Sequence, residues 1–227
     1  MIIELENINK SYQNNSSSSQ IKVLGNISLK IISGDSIAIV GPSGCGKSTL
    51  LNILGTLDKP TSGIMMIDNE DISRFNDKKI AEIRNQKIGF VFQLHHLLPQ
   101  LNLLENVLLP TLIIKDSKLK ESAKSRVLEL LKFVGLEDKI KQYPGQLSGG
   151  ECQRTAVVRA LINKPEIILA DEPTGSLDQE SAEQIGELLS KINKEQNVAL
   201  VLVTHSLELA NKMKVIYKLN NGKLIKS

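Results

Sequence analysis

The sequence predicts an α/β fold with a mainly parallel sheet, and three observations support this. Four short apolar runs, at 36–40, 88–92, 167–170 and 198–203, are each followed closely by polar residues. Such runs are typical of strands that are buried on both faces. Helical patterns lie between the later runs, and a glycine-rich turn directly follows the first run. Strands that alternate with helices in this way favour parallel pairing.

The N-terminal part of the chain predicts antiparallel β structure. Residues 1–7 and 23–32 are rich in β-branched side chains and partly alternate between apolar and polar positions. The polar run 14–20 between them is short and local, so it is interpreted as a hairpin loop. We therefore expect an N-terminal β subdomain beside the parallel core.

Two stretches, 117–134 and 178–192, predict long helices. In the first, Gly135 stands at the expected C-terminal cap, and apolar residues recur at three- and four-residue spacing. These apolar residues are Leu119, Ala123, Val127, Leu130, Leu131 and Val134. The stretch 94–153 has helical patterns without a convincing strand, which predicts an inserted helical subdomain. The chain 1–227 is thus interpreted as one domain, with 1–93 and 154–227 forming the core and the β subdomain.

Composition excludes several classes of protein. The 227 residues are 41% hydrophobic, which is enough for a globular core. The formal charge is only +3, from 28 basic and 25 acidic side chains, so nucleic acid is not expected as a partner. No apolar run approaches the roughly 20 residues that cross a bilayer, and the two cysteines cannot form a disulfide scaffold. The N-terminus lacks the pattern of a secretory signal, so the cytosol is the expected compartment.

Residues 41–48 read Gly-Pro-Ser-Gly-Cys-Gly-Lys-Ser and match the pattern G-x-x-x-x-G-K-[ST] between a buried strand and a helix. Glycines let backbone N–H groups converge on phosphate oxygens, and the helix N-terminus adds a positive dipole. Lys47 can reach the β- and γ-phosphates, and the Ser48 hydroxyl can bind Mg²⁺. The segment, called the P-loop below, therefore predicts nucleoside triphosphate binding. The predicted contacts are Gly41, Ser43, Gly44, Cys45, Gly46, Lys47, Ser48 and Thr49.

Polar residues also follow the other predicted core strands. Because ligands bind at the carboxyl ends of strands in open α/β sheets, we expect Gln93, Asp171, Glu172 and His205 to converge on the triphosphate. Asp171 would hold Mg²⁺ together with Ser48, and Gln93 could touch either the metal or the attacking water. His205 could hydrogen-bond the γ-phosphate region. Side chains alternate along a strand, so Glu172 points elsewhere and would polarise the attacking water. Each residue alone is compatible with an ordinary loop position, but their joint placement favours an active site.

A second glycine-rich turn, Leu-Ser-Gly-Gly-Glu at 147–151, also opens a predicted helix. The Ser148 hydroxyl and the amides of Gly149 and Gly150 are predicted to form a second anion site. An ordinary helix N-cap would use Ser148 but would not explain two consecutive glycines. The chain thus carries two phosphate cradles for one nucleotide pocket, which the residues alone do not explain.

Taken together and in this order, the motifs resemble the ATP-binding subunit of an ABC transporter over essentially the whole chain. The matching positions are 41–48, Gln93, 147–151, 167–172, 176–178 and His205. The resemblance implies a P-loop NTPase fold, ATP and Mg²⁺ as cofactors, and a head-to-tail homodimer. In such a dimer the turn 147–151 of one subunit, called the signature turn below, closes over the ATP on the P-loop of the other.

The resemblance also implies roles for individual residues. Glu172 would be the catalytic base, and His205 the switch histidine. Gln93 would link the metal to the membrane partner, and Asp178 would lie in the loop that meets the opposing subunit. Tyr12 would stack on the adenine, which fits a chain in which aromatic residues make up only 3%.

Within the family, residues 84–90, 93–99 and 104–107 resemble the lipoprotein-releasing system of diderm bacteria. That resemblance implies an ATPase at the cytoplasmic face of the inner membrane, below two integral membrane permease subunits. Lipoprotein cargo would be handled only through those subunits. Macrolide-export and cell-division ATPases of the same branch share much of this sequence and stay open as alternatives.

Two further classes of protein find little support. A soluble ABC-type ATPase of DNA repair or translation would carry coiled coils, paired cassettes or a basic surface. A regulatory GTPase would carry N-K-x-D and D-x-x-G motifs, which the sequence lacks. His95 and His96 are adjacent without a third ligand, so they do not predict a metal site. Cys152 and Ser176 depart from the residues usual at their positions in the family.

Overall fold

The structure is a computed structural model that describes residues 2–13, 20–114 and 116–227, without the side chains of 117–119. Apart from Gln20, the hairpin loop predicted at 14–20 lies outside the described residues. The described chain forms two β-sheets with helices packed around the larger one. None of these helices is long and apolar enough to cross a membrane.

The first sheet is antiparallel and contains the N-terminal strands. Strand β1 (Ile3–Gln13) pairs with β2 (Gln20–Ile31) and with β4 (Ser62–Ile67), and the short β5 (Glu70–Asp71) pairs with β4. This confirms the predicted antiparallel β subdomain. Strand β1 extends to Gln13, beyond the predicted 1–7. Its last three residues are half-buried or exposed, so hydrophobic alternation does not mark them.

The second sheet has six strands in the order β10-β9-β3-β8-β7-β6. Its strands are β3 (Ser36–Val40), β6 (Ile88–Phe92), β7 (Ile167–Asp171), β8 (Ala199–Val203), β9 (Val215–Asn220) and β10 (Lys223–Lys226). All neighbours pair in parallel except β9 and β10, which are antiparallel. The predicted mainly parallel core is therefore confirmed.

Seven α-helices surround this sheet in the described part of the chain. They are α1 (Lys47–Leu54), α2 (Asp77–Lys87), α3 (Leu103–Leu108), α4 (Ser117–Phe133), α5 (Gly149–Leu161), α6 (Gln179–Gln196) and α7 (Leu207–Asn211). The helices predicted at 117–134 and 178–192 correspond to α4 and α6, and Gly135 follows α4 with a φ of 68°. Between 94 and 153 the described residues are helical or irregular, without a strand. The predicted boundary at 153 falls inside α5, so the division into subdomains stays a prediction.

The hydrophobic core lies on both faces of the parallel sheet. In β3, Ala38 and Val40 pack in the cluster formed with α3 to α6, whereas Ile37 and Ile39 pack towards α1 and the antiparallel sheet. All five residues of β3 are buried, which explains an uninterrupted apolar run in place of an alternating one.

Three elements at the edges of the molecule carry too weak a pattern for sequence-based prediction. Helix α2 buries only Ile80, so it lacks an apolar stripe. Strand β9 is half-exposed along most of its length, and β10 has no buried residue. Their pairing with the core, rather than their own sequence, stabilises them.

Candidate active site

Four parallel strands end side by side at one edge of the larger sheet, called the strand-end edge below. The register pairs Ile39 of β3 with Val203 of β8, Val203 with Asp171 of β7, and Asp171 with Phe92 of β6. The P-loop and the predicted residues at 93, 171–172 and 205 begin at or just beyond this row. The structure therefore brings together at one edge the groups that the sequence predicts to act together.

The backbone of the P-loop depends on glycine at two positions. Gly46 caps α1 with a φ of 103°, a left-handed conformation that other residues rarely adopt. A Cβ atom on Gly41 would lie 2.3 Å from the carbonyl oxygen of Leu219 in β9, so no side chain fits there. Residues 42–44 are exposed, which leaves the loop backbone accessible to a ligand.

Lys47 and Ser48 begin α1 directly behind this loop. The Lys47 ammonium donates to the carbonyl oxygens of Gly41 and Pro42, at 2.9 and 3.0 Å. It is therefore held over the loop that is predicted to hold the phosphates. Ser48 is exposed at the helix N-terminus, where the backbone dipole favours an anion. Cys45 and Thr49, also predicted contacts, are partly buried beside them.

Asp171 offers the clearest test of whether the site fits Mg²⁺. Its Oδ1 atom is buried and has no hydrogen-bond partner among the described residues. Burial raises the pKa of this carboxyl, and the Glu172 carboxylate adds to the rise, while the Ser48 hydroxyl and the Lys47 ammonium oppose it. Hard cations such as Mg²⁺ prefer oxygen ligands of this kind. Ser48 and Asp171 thus fit the metal that the sequence predicts.

Glu172, the residue after β7, has its carboxylate fixed by His205. Its Oε2 atom accepts a hydrogen bond from the His205 backbone N–H at 3.2 Å and lies 2.9 Å from Nδ1 of the imidazole. The Glu172 side chain is 17% exposed and that of His205 71%, so the histidine stands on the solvent side of the pair. Glu172 has a φ of 46°, a conformation that costs a non-glycine residue about 1–3 kcal/mol.

Gln93, the residue after β6, is exposed and packs against the turn that follows Glu172. Its Nε2 atom lies 3.0 Å from the position that a Cβ atom on Gly175 would occupy. The Ser176 hydroxyl donates to the Gln93 carbonyl oxygen at 2.8 Å. The serine that departs from the family pattern thus ties this turn to the backbone of the predicted metal-binding glutamine.

Gln153, in α5, is a residue that sequence reasoning missed. Its side chain is buried, and Nε2 donates to the carbonyl oxygens of Phe92 and Pro173, both at 2.8 Å. Phe92 precedes Gln93 and Pro173 follows Glu172. One amide therefore connects α5, called the signature helix below, to both predicted catalytic segments. In the sequence, the only indication is a polar Gln within the helical pattern that follows the signature turn.

Tyr12 lies at the end of β1, away from the strand-end edge but close to α1. The Thr49 hydroxyl lies near enough to the Tyr12 hydroxyl to lower its pKa, although burial and Asp58 raise the pKa overall. The ring is 41% exposed, as a base-stacking surface would have to be. The structure therefore brings the predicted adenine contact next to the helix that the P-loop opens.

The signature turn and Asp178 serve as helix caps within the single chain. The Ser148 hydroxyl accepts from the Glu151 N–H at 3.3 Å, and the Glu151 carboxylate accepts from the Ser148 N–H at 2.8 Å. Asp178 caps α6 by accepting from the Ser181 N–H at 2.9 Å. Ser148 and Gly149 are exposed, and the bonds of Ser148 stay within its own turn and helix. The signature turn is thus not joined to the P-loop of its own chain by these bonds.

Comparisons with known proteins identify the family. The family model described as "ABC transporter" matches residues 24–175. The lipoprotein-releasing system ATP-binding protein LolD of Legionella pneumophila (strain Lens) is 45% identical over 224 residues, covering 99% of this chain and 97% of the relative. The protein of the same name from Pseudoalteromonas translucida is 47% identical, covering 99% and 95%.

Solved structures agree with this family. The ATP-binding cassette MJ0796, a dimer in a post-hydrolysis state with ADP and Pi, matches with a TM-score of 0.86 and 42% identity. The match covers 98% of this chain and 96% of that cassette. In sequence, fold and nucleotide-binding motifs, the chain belongs to the ABC transporter family, as an ATP-binding cassette protein.

Proposed function

We propose that this ABC ATPase hydrolyses ATP at the strand-end edge and drives a membrane transporter that releases lipoproteins. One observation carries the catalytic assignment. The Glu172 carboxylate is held by His205 and follows Asp171, a half-buried residue at the end of β7. Strands β7, β8 and β3 end side by side, where the P-loop begins. A base, a metal-binding carboxylate and a phosphate cradle at one sheet edge are the groups that phosphoryl transfer to water requires.

The residues of the chain would divide the catalytic work. Lys47 would exchange the Gly41 and Pro42 carbonyl oxygens for phosphate oxygens of ATP. Ser48, Asp171 and Gln93 would hold Mg²⁺, which when bound neutralises charge on the phosphates. Glu172 would accept the proton of the attacking water, and His205 would hold that carboxylate in place.

A second copy of the chain would complete the site. The first amides of α5 have no intrahelical acceptor, so an exposed Gly149 at this position is suited to an anion. The hydrogen bonds of Ser148 do not reach the P-loop of its own chain. The nucleotide on one copy would therefore meet the signature turn of the other, with Asp178 beside the contact, as in a head-to-tail homodimer.

A groove between the core and the helical region is a suitable docking surface for membrane subunits. The cavity has a volume of about 440 Å³, and its lining includes Leu57, Phe90 and Ile113. Ile113 is 59% exposed and the neighbouring Leu112 69% exposed. Exposed apolar patches of this kind mark protein interaction sites. The groove reaches Pro110, the last residue of the segment 94–110 that we expect to contact the permease subunits.

The proposed cargo rests on the curated relatives, which are named as lipoprotein-releasing proteins. We infer that two integral membrane permease subunits bind this chain at the cytoplasmic face of the inner membrane. The chain would be peripheral there, and it would act on lipoproteins only through those subunits.

The test is a pull-down of tagged protein from detergent-solubilised membranes of the source organism, with ATP added and the Glu172→Gln substitution to hold the closed dimer. We expect two related permease subunits that bind lipoprotein. A single permease with a large periplasmic domain would instead indicate macrolide-type export, and only soluble or nucleic-acid partners would refute the transporter. Ile113→Glu in the same background should lose the permeases, since it replaces an exposed apolar side chain of the groove with a carboxylate, while ATP binding is retained.

A further inference from the structure

Two side chains, Lys10 and Asp58, contact Tyr12 outside the strand-end edge. The Tyr12 hydroxyl donates to Oδ2 of Asp58 at 2.7 Å, and the Lys10 ammonium donates to Oδ1 of the same carboxylate at 2.6 Å. Lys10 and Tyr12 both belong to β1, whereas Asp58 follows α1. One carboxylate therefore ties the end of an antiparallel strand to the segment that leaves the P-loop helix.

The Asp58 carboxylate and the Lys10 ammonium are partly buried, and each forms further hydrogen bonds. The Lys10 side chain is 11% exposed and that of Asp58 28% exposed. The Lys59 backbone N–H also donates to Asp58 at 2.7 Å, and Lys10 donates to the Lys59 carbonyl oxygen at 2.7 Å. Burial alone would raise the pKa of Asp58, but the bonds from Lys10, Tyr12 and the Lys59 backbone outweigh it and lower the pKa. The carboxylate is thus ionised at neutral pH and accepts three hydrogen bonds.

Lys10 also contacts one face of the Tyr12 ring. The Lys10 ammonium lies 4.7 Å from the ring centroid, which is a cation–π contact. Partial burial, followed by the hydrogen bond to Asp58, raises the pKa of the Tyr12 hydroxyl, so the hydroxyl keeps its proton. With its edge bound and one face beside a cation, the ring retains an open face, consistent with an exposed fraction of 41%.

We propose that Asp58 and Lys10 are positioning residues for nucleotide binding, because they hold the Tyr12 ring in place to stack on the purine base. This inference rests on the proposed function, in which Tyr12 contacts the adenine of ATP. Stacking contributes to affinity only if the ring is in place, and a ring that is fixed beforehand loses less side-chain entropy on binding. The bond from Tyr12 to Asp58 connects this ring to the segment that follows α1, the helix behind the phosphate site.

The test compares two ligands that differ by the presence of a nucleoside, ADP and inorganic pyrophosphate. Isothermal calorimetry of the full chain gives the Kd of each for Asp58→Ala, Tyr12→Phe and Tyr12→Ala. Tyr12→Ala should weaken ADP binding by about 5- to 150-fold, the loss of one base–aromatic contact. Asp58→Ala and Tyr12→Phe should each weaken ADP binding by about 3- to 10-fold, since each removes the anchoring hydrogen bond. Pyrophosphate affinity should stay unchanged.

Two further measurements separate positioning from general damage. The double variant Tyr12→Phe/Asp58→Ala should lose about as much ADP affinity as Asp58→Ala alone, because that change already removes the bond that Tyr12→Phe removes. Asp77→Ala is the matched control, since its carboxylate pairs with Lys59 while 90% exposed and should change neither ligand. Tyr12→Phe keeps the ion pair between Asp58 and Lys10, so it still tests the inference if Asp58→Ala does not fold.

Each adverse result has its own meaning. If Tyr12→Ala leaves ADP affinity unchanged, the stacking role of Tyr12 in the proposed function fails, and the positioning role with it. If Tyr12→Ala weakens ADP binding but Tyr12→Phe and Asp58→Ala do not, the positioning inference alone is overturned. An equal loss of ADP and pyrophosphate in Asp58→Ala would also overturn it, because the defect would then lie in the phosphate site.

Discussion

The two glycine-rich turns of this chain are alike in sequence but differ in their surroundings. The P-loop is held by its own chain, since Gly41 lies close against β9 and the Lys47 ammonium donates to the loop carbonyl oxygens. The signature turn is exposed at Ser148 and Gly149, and the hydrogen bonds of Ser148 stay within the turn and its helix. One turn is thus held in place by contacts within its own chain, and the other presents helix amides at the surface.

This difference indicates how binding and hydrolysis are separated in the molecule. The P-loop should bind nucleotide in a single chain, because everything that holds its backbone comes from that chain. The signature turn should act only when another copy supplies the phosphate that its amides can bind. Four variants test this contrast.

Glu172→Gln should have the largest effect. Turnover should fall by about 10²–10⁴-fold, the usual contribution of a general base, while ATP binding is kept and the closed dimer accumulates. Steady-state hydrolysis and gel filtration with ATP measure both quantities. Glu166→Gln, just before the same strand and paired with Lys87, is the control that should hydrolyse normally. Normal turnover by Glu172→Gln would refute the assignment of the base.

Gly149→Asp should separate the two turns most directly. A carboxylate beside the exposed amides repels phosphate, so hydrolysis should fall by about 10²-fold and the ATP-dependent dimer should be lost. Nucleotide affinity of the monomer should not change, as measured by calorimetry with ADP. Gly149→Ala is a milder control, since its methyl group would meet Leu177 at an ordinary 3.5 Å. Weakened ADP binding by Gly149→Asp would contradict the contrast between the turns.

In contrast to Gly149→Asp, Lys47→Ala should impair nucleotide binding by the single chain. Loss of one charged hydrogen-bond donor should weaken ATP binding by about 10- to 150-fold in the monomer, before any dimer forms. Calorimetry with ATP checks this, with the exposed Lys79→Ala as control. Unchanged affinity would contradict the role of the P-loop lysine.

Asp171→Asn should have the smallest effect, and it should stabilise the free protein. Because burial raises the pKa of Asp171, ionising this carboxyl is less favourable in the folded chain than in the unfolded one, which lowers stability at neutral pH. Removing that charge should raise the Tm without nucleotide by about 2–4 °C for a gain of ~1 kcal/mol. Thermal unfolding should also show that added MgATP no longer stabilises this variant. A lower Tm without nucleotide would contradict the cost of the buried charge.

Sequence-based prediction succeeded where a pattern is local. The apolar runs of β3 and β8 and the P-loop each fall within a few residues, so the parallel sheet and the position of the phosphate cradle follow from them. Gln153 could not be found in this way, because its bonds to Phe92 and Pro173 span 61 and 20 residues. Asp58 likewise meets Tyr12 across 46 residues. Contacts of this range depend on the completed fold, and only the structure gives them.

The bonds of Gln153 also constrain how α5 can move. Its amide reaches the ends of β6 and β7 at the same time, so sliding the helix along its own axis would break both bonds, at about 0.5–1.5 kcal/mol each. A rotation about an axis through that amide would keep both bonds. Of the two common modes of domain motion, hinge bending is therefore favoured over shear at this joint. If the signature helix tilts when ATP binds, its pivot should lie near Gln153, four residues from Gly149.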